Sequence, residues 1–139
     1  MLEDQETLIN DLLGPLERKV MNIIWEGSDL SVQDVVEQLN ENQDDQKEYA
    51  YTTIMTVMSR LVEKGVLKKE KSGRKYLYQA VFQKDEYIKH KSDQAVKGLL
   101  NRFGDVAISR FVDTVGSDPE QLNKLKQFIE QLDRGEHKK

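Results

Sequence analysis

A chain of 139 residues, 37% hydrophobic and 33% charged, has room for one ordinary domain and an appendage, with a thin core rather than a deep enzyme core. Its net charge of −4 argues against nucleic acid unless positive charge is concentrated somewhere, and no run reaches the roughly 18 apolar residues of a membrane span. The absence of cysteine excludes disulfides, thiolate metal sites and a cysteine nucleophile, and fits a reducing compartment.

Residues 1–12 read as a flexible acidic N-terminus. The opening MLEDQETLINDLL is acidic where a signal peptide is basic, so a cytoplasmic location without membrane insertion is expected. Gly14-Pro15 opens the first clear helix, with proline at an early position that tolerates it. Leu16, Val20, Ile23 and Ile24 recur at helical spacing, Trp25 closes the apolar face, and Gly27 ends it. Ser31 has the character of an N-cap, with Asp34 three residues on as a weaker form of the capping box. Val32, Val35, Val36 and Leu39 make the next stripe, and the polar, unpatterned run from Asn40 to Glu48 predicts a loop.

The third helix is predicted from Thr52 to Lys64, stopping at Gly65, with Ile54, Val57, Met58, Leu61 and Val62 as its buried stripe. Burying that stripe leaves Thr52, Thr53, Met55, Thr56, Ser59, Arg60 and Glu63 toward solvent. Solvated helix faces favour Lys, Glu and Gln, and threonine is a poor helix former there. Threonine offers a short donor and acceptor plus a methyl that fits thymine, arginine suits guanine or phosphate, and Met55 supplies an apolar contact to a base edge. A merely tolerated surface is the competing reading. Past Gly65, VLKKEK and KYLYQAVF flank Ser72-Gly73-Arg74 and predict a hairpin.

Charge adds weight to the DNA reading. Residues 1–49 hold three basic residues against thirteen acidic ones, whereas residues 50–82 hold Arg60, Lys64, Lys68, Lys69, Lys71, Arg74 and Lys75 against only Glu63 and Glu70. Screening over about 8–10 Å lets such a segment attract phosphates on a net acidic protein. Lys68, Lys71, Arg74 and Lys75 around the tight turn are the expected phosphate contacts; a soluble edge hairpin guarded by lysines is the alternative. Tyr76 and Tyr78 alternate with Leu77, so one face is expected to pack on the core rather than stack on bases.

From Lys84 onward the pattern is helical again, with a long stripe to Gly104, an apolar piece from Val106 to Val115, and a last helix opened by Asp118-Pro119. Leu122, Leu125, Ile129 and Leu132 alternate by three and four, as in a heptad seam. Too little chain remains to bury Leu99, Leu100, Phe103, Val106, Ile108, Phe111, Val112 and that seam in an independent core. A monomer would expose them, so they are expected to form a two-fold dimer interface. Folding back on the N-terminal domain is the competing reading. The fold class is therefore mostly α with a small β-hairpin: a winged helix-turn-helix over 13–82, a helical dimerisation region over 83–133, and a tail at 134–139.

The segments LGPLERKVMNIIW, YAYTTIMTVMSRLVEKGVL and GRKYLYQAV resemble the penicillinase-repressor family, the BlaI/MecI/CopY transcriptional repressors, over roughly residues 13–132. The YTT-MTV-RL arrangement is nearest to the actinobacterial members. The resemblance implies a homodimeric repressor of an inverted-repeat operator in double-stranded DNA, read through Thr52, Thr53, Met55, Thr56 and Arg60. Thr53, Thr56 and Arg60 match the staphylococcal pattern, while Thr52 and Met55 stand where those proteins have lysine and arginine. It also implies a membrane-bound sensor protease as partner, with the scissile bond falling near Arg110-Phe111, although the asparagine that precedes that phenylalanine in staphylococcal members is absent. The copper-responsive members' cysteine motif is absent too.

Rival readings are few. No catalytic motif of a hydrolase, phosphate-binding loop or metalloprotease occurs, and no cofactor is implied. Glu86 and His90 stand at i, i+4, but lysines flank His90 and no third ligand follows, so no metal site is expected. A ligand-responsive repressor of the multiple-antibiotic-resistance type would share the fold, against which the short N-terminal region and the tail-placed dimer helices argue. A winged helix used only for protein contact, through the acidic stretch 26–48, stays open.

Overall fold

Pro15 sits in the first turn of a helix over Pro15–Glu26, where its missing N–H costs nothing, and the Gly14 N–H donates to the Glu17 carboxylate at 3.2 Å. The structure is a computed structural model that describes residues 5–41 and 48–135. In chain order its elements are α1 (Gln5–Leu12), α2 (Pro15–Glu26), α3 (Val32–Glu41), α4 (Tyr51–Glu63), β1 (Leu67–Ser72), β2 (Lys75–Ala80), α5 (Lys84–Phe103), α6 (Asp105–Gly116) and α7 (Pro119–Asp133). They fall into two compact units, one of Glu3–His90 and one containing Lys91–Lys139, with α5 running from the first into the second.

In the first unit, α3 starts on a reciprocal cap. The Asp34 N–H donates to Ser31 Oγ at 3.1 Å, and the Ser31 N–H donates to the Asp34 carboxylate at 3.0 Å. That backbone donor, joined by the Ser31 hydroxyl and the charge of Lys75, outweighs burial and holds the Asp34 carboxyl below its usual value. α4 ends in a Schellman turn: Gly65, at φ 79°, donates to the Val62 carbonyl and Val66 to that of Leu61, at 3.0 and 2.9 Å. Val20, Met21 and Ile24 of α2, Val35 and Leu39 of α3, and Ile54, Met58 and Leu61 of α4 meet in one core.

β1 and β2 pair antiparallel from Leu67↔Ala80 to Ser72↔Lys75. Gly73 is the first of the two residues between them, at φ 67°, the sign a tight hairpin turn requires there. Leu30 adds a third strand reduced to one bridge, exchanging N–H and carbonyl with Tyr78 at 3.2 and 2.7 Å. Helices α2, α3 and α4 followed by this hairpin make a winged helix-turn-helix, with α3 and α4 as the helix-turn-helix pair.

Several boundaries differ from expectation. Residues 1–12 do not all form a flexible arm: Gln5–Leu12 is helical, and Ile9 and Leu13 lie in the core. Those two residues stand four apart on one face, too short a signal to show through the surrounding acids. The first unit also outruns residue 82, because Tyr87 of α5 is buried and its ring lies 6.1 Å from that of Trp25. Asn40 and Glu41 complete α3 rather than opening a loop, and residues 42–47 of the expected loop lie outside the described residues. Of the expected tail, Arg134 and Gly135 form a turn after α7, and 136–139 lie outside the described residues.

In the second unit α6 and α7 pack on each other. Gly104, at φ 59° and ψ −133°, separates α5 from α6 in a backbone region open to glycine alone. Asp118 caps α7, accepting from the Glu120 and Gln121 N–H groups at 3.0 and 3.4 Å.

Candidate nucleic-acid interface

With Ile54, Met58 and Leu61 buried and Val57 and Val62 half-buried, α4 presents Thr52, Thr53, Met55, Thr56, Ser59, Arg60 and Glu63 exposed. The sequence-predicted face is thus a continuous surface on one helix. The Thr56 hydroxyl donates to the Thr52 carbonyl at 2.9 Å, which fixes the side chain and leaves its acceptor lone pairs and methyl for an outside partner. At the far end of the helix, Glu17 accepts from Lys64 Nζ at 2.8 Å. Burial pushes the Glu17 carboxyl up, but the hydrogen bonds from Lys64 and the Gly14 N–H, with the charges of Lys64 and Arg60, bring it below its ordinary value.

On the hairpin, Lys68, Lys71, Arg74 and Lys75 are all exposed. Among the described residues, Lys68, Lys71 and Arg74 enter no ion pair, which leaves their charges available to phosphates. The strand register separates them. Lys69 and Lys71 share one face with their partners Tyr78 and Tyr76, whereas Lys68 stands on the other face with Gln79. There Gln79 donates to Asp29 at 2.6 Å, and Lys68 joins them in lining a cleft of about 250 Å³ beside Trp25. Lys68 is therefore not grouped with Lys71.

The two tyrosines also part company. Tyr78 is 3% exposed and packs on the core as expected, but Tyr76 is 44% exposed, with the Lys69 ammonium 4.7 Å from its ring centre. Burial, then the phenols of Tyr51 and Tyr76, push the Tyr78 hydroxyl up in pKa, so the start of α4 and strand β2 bring three phenols close together. Tyr51, Lys69 and Tyr76 are exposed alongside the α4 face and the hairpin, and the sequence-predicted site does not include them. Basic residues interleaved with aromatics in KKEKSGRKYLY were the available signal.

Glu86 and His90 each make a local contact. Glu86 accepts from the Gln83 N–H at 2.9 Å, and the His90 ring stacks on Phe82 at 4.5 Å. Among the described residues no cluster of three potential metal ligands occurs.

The second unit carries the residues expected at a dimer interface. Leu99, Leu100, Phe103, Val106, Ile108, Phe111, Val112, Ile129 and Leu132 are all exposed, Leu122 and Leu125 are half-buried, and Val115 is buried. A groove of about 440 Å³, lined among others by Leu99, Phe103, Val106 and Phe111, runs between α5 and α6. Arg110 and Phe111 lie inside α6, with Arg110 ion-paired to Asp113.

The sequence model of one family, described as "Penicillinase repressor", matches residues 13–131. The chain belongs to the penicillinase repressor family. It is 27% identical over 119 residues to the penicillinase repressor of Bacillus licheniformis, covering 86% of this chain and 90% of that one. Against the transcriptional regulator BlaI of Mycobacterium tuberculosis it is 29% identical over 124 residues, covering 88% and 86%. The solution structure of the DNA-binding domain of the repressor BlaI aligns with a TM-score of 0.46 at 28% identity, covering 54% of this chain and 87% of that one. As a member of the family the protein is a transcriptional repressor and not an enzyme, and its N-terminal unit is a DNA-binding winged helix.

Proposed function

We propose that the repressor acts in the cytoplasm as a homodimer that lays α4 of each copy into the major groove of one half of an inverted-repeat operator. Thr52, Thr53, Met55, Thr56 and Arg60 read base edges, while Lys71 and Arg74, assisted by Lys75, hold phosphates. The observation that carries this reading is the exposed threonine-and-arginine face of α4, on a unit whose hairpin supplies unpaired cations. Two such helices on a two-fold axis fit half-sites centred about 34–36 Å apart, one helical turn of DNA. The apolar surface of α5, α6 and α7 favours self-association, since soluble monomers seldom expose so much.

Release by proteolysis, in which a membrane-bound sensor protease cuts near Arg110-Phe111, is part of the same reading. A cut there would detach the second half of α6 and all of α7 from the DNA-binding unit, removing Phe111, Val112, Ile129 and Leu132 from the dimer. Helix α6 has to open first, because proteases take their substrates extended.

Footprinting the purified protein on DNA upstream of its own gene tests the proposal. A protected inverted repeat is expected, and Arg60→Ala should weaken binding to it by about 1–3 kcal/mol relative to a scrambled duplex. Equal affinity of the wild type for both duplexes would refute the reading and favour a module for protein contact.

A further inference from the structure

Helices α3 and α4 begin very differently. Ser31 and Asp34 cap α3 reciprocally, whereas the N-cap of α4 is Ala50, which makes no side-chain hydrogen bond, and its first turn has no acidic residue. Alanine is among the poorest N-caps, and the threonines that follow are weak helix formers. Left to itself, this start would fray, yet it carries Thr52 and Thr53.

The missing cap is replaced by a clamp one residue earlier. Asn40, near the end of α3, accepts from the Tyr49 N–H through Oδ1 at 2.8 Å and donates from Nδ2 to the Tyr49 carbonyl at 3.4 Å. One amide thus engages both backbone polar groups of the residue just before Ala50, which only a side chain with a donor and an acceptor side by side can do. The Tyr49 side chain is fixed as well. Its hydroxyl accepts from Lys19 Nζ at 3.1 Å, that ammonium lies 5.6 Å from its ring centre, and the ring packs half-buried on the core. Tyr49 is therefore tied to α2 and α3 together.

We propose that Asn40 is a positioning residue for DNA reading: by clamping Tyr49 it sets where α4 starts and how Thr52 and Thr53 meet base edges. The inference rests on the DNA-reading role proposed above. Hydrogen bonds to base edges need close geometry, whereas lysines on flexible stems follow a phosphate through small displacements. Loss of the clamp should therefore cost specific binding and spare non-specific binding.

The test uses the full chain with Asn40→Ala, Asn40→Asp and, as a control, Asn10→Ala, which among the described residues removes the Arg18 contact elsewhere in the same unit. Affinity is measured for the footprinted duplex and for an unrelated one, with amide exchange at Ile54, whose bond to the Ala50 carbonyl at 3.2 Å is the first of the helix. Asn40→Ala should weaken the specific duplex about tenfold, leave the unrelated one within about twofold, and speed exchange at Ile54. Asn40→Asp keeps the acceptor for the Tyr49 N–H and should lose less; Asn10→Ala should change neither ratio nor exchange.

Equal weakening of both duplexes by Asn40→Ala, or unchanged exchange at Ile54, overturns the proposal. Should Asn40→Ala fail to fold, Asn40→Asp decides by the same two readouts. A wild type that does not discriminate between duplexes defeats the DNA reading instead, and exchange at Ile54 then decides the clamp alone.

Discussion

Replacing Phe111 by alanine should dissociate the proposed dimer. Phe111 lies on α6 beside Leu99, Phe103 and Val106, with 56% of its surface exposed, and it has no place in the core of either unit. An aromatic side chain buries about 200 Å², so roughly 110 Å² of it remains to be covered by a partner. At about 25 cal/mol per Å², each ring contributes about 2.8 kcal/mol on full burial, and two-fold symmetry doubles this to at most about 5.6 kcal/mol. The dimer dissociation constant should then rise by about 10³–10⁴. Sedimentation equilibrium of wild type and Phe111→Ala over the same concentrations measures it, with far-UV circular dichroism confirming that the helices persist. Specific DNA binding should become steeper in protein concentration, because two chains must now assemble on the operator. Identical association constants for the two proteins would show that this surface is not the interface.

Replacing Lys71 and Arg74 together by alanine should weaken all duplexes alike and flatten the salt dependence by about 0.9 per lost phosphate contact, read as the slope of log K against log salt; parallel slopes would take the hairpin out of contact with DNA. Glu17 should make stability depend on acid. Its folded carboxyl lies below the ordinary 4.5, so its contribution is complete above that value and is lost as pH falls through the depressed one. Glu17→Gln should be less stable than wild type at neutral pH, with the gap closing in acid; a gap independent of pH would show that the Lys64 pairing does not act this way. Ile9→Ala should cost about 2–5 kcal/mol in urea unfolding, as for a filled core position, and a change near zero would mean that α1 does not dock.

Much of the fold was legible because it is local. The pairing of Ser31 with Asp34, the halt of α4 before Gly65 and the turn at Gly73 each depend on residues a few positions apart, and each stands as read. The face of α4 was legible for the same reason: once one stripe of a helix is buried, the opposite side is determined by geometry. The exposed residues beyond that face were harder. Tyr76 and Tyr78 alternate identically with Leu77, and nothing in KYLYQAVF says which of them the core will cover.

The amino-acid sequence by itself determined the order of the elements from α2 onward, the concentration of positive charge after residue 50, the threonine-and-arginine face and the surplus of apolar residues in the tail. Periodicity and composition suffice for these, since each is a property of one helix or one hairpin. Tertiary structure alone decided that Leu30 completes the sheet at Tyr78, that Ile9 and Tyr87 extend the core, and that Asn40 holds Tyr49. These depend on partners brought together from distant parts of the chain or on which side of an element becomes covered. A local pattern carries no record of either until the core has closed.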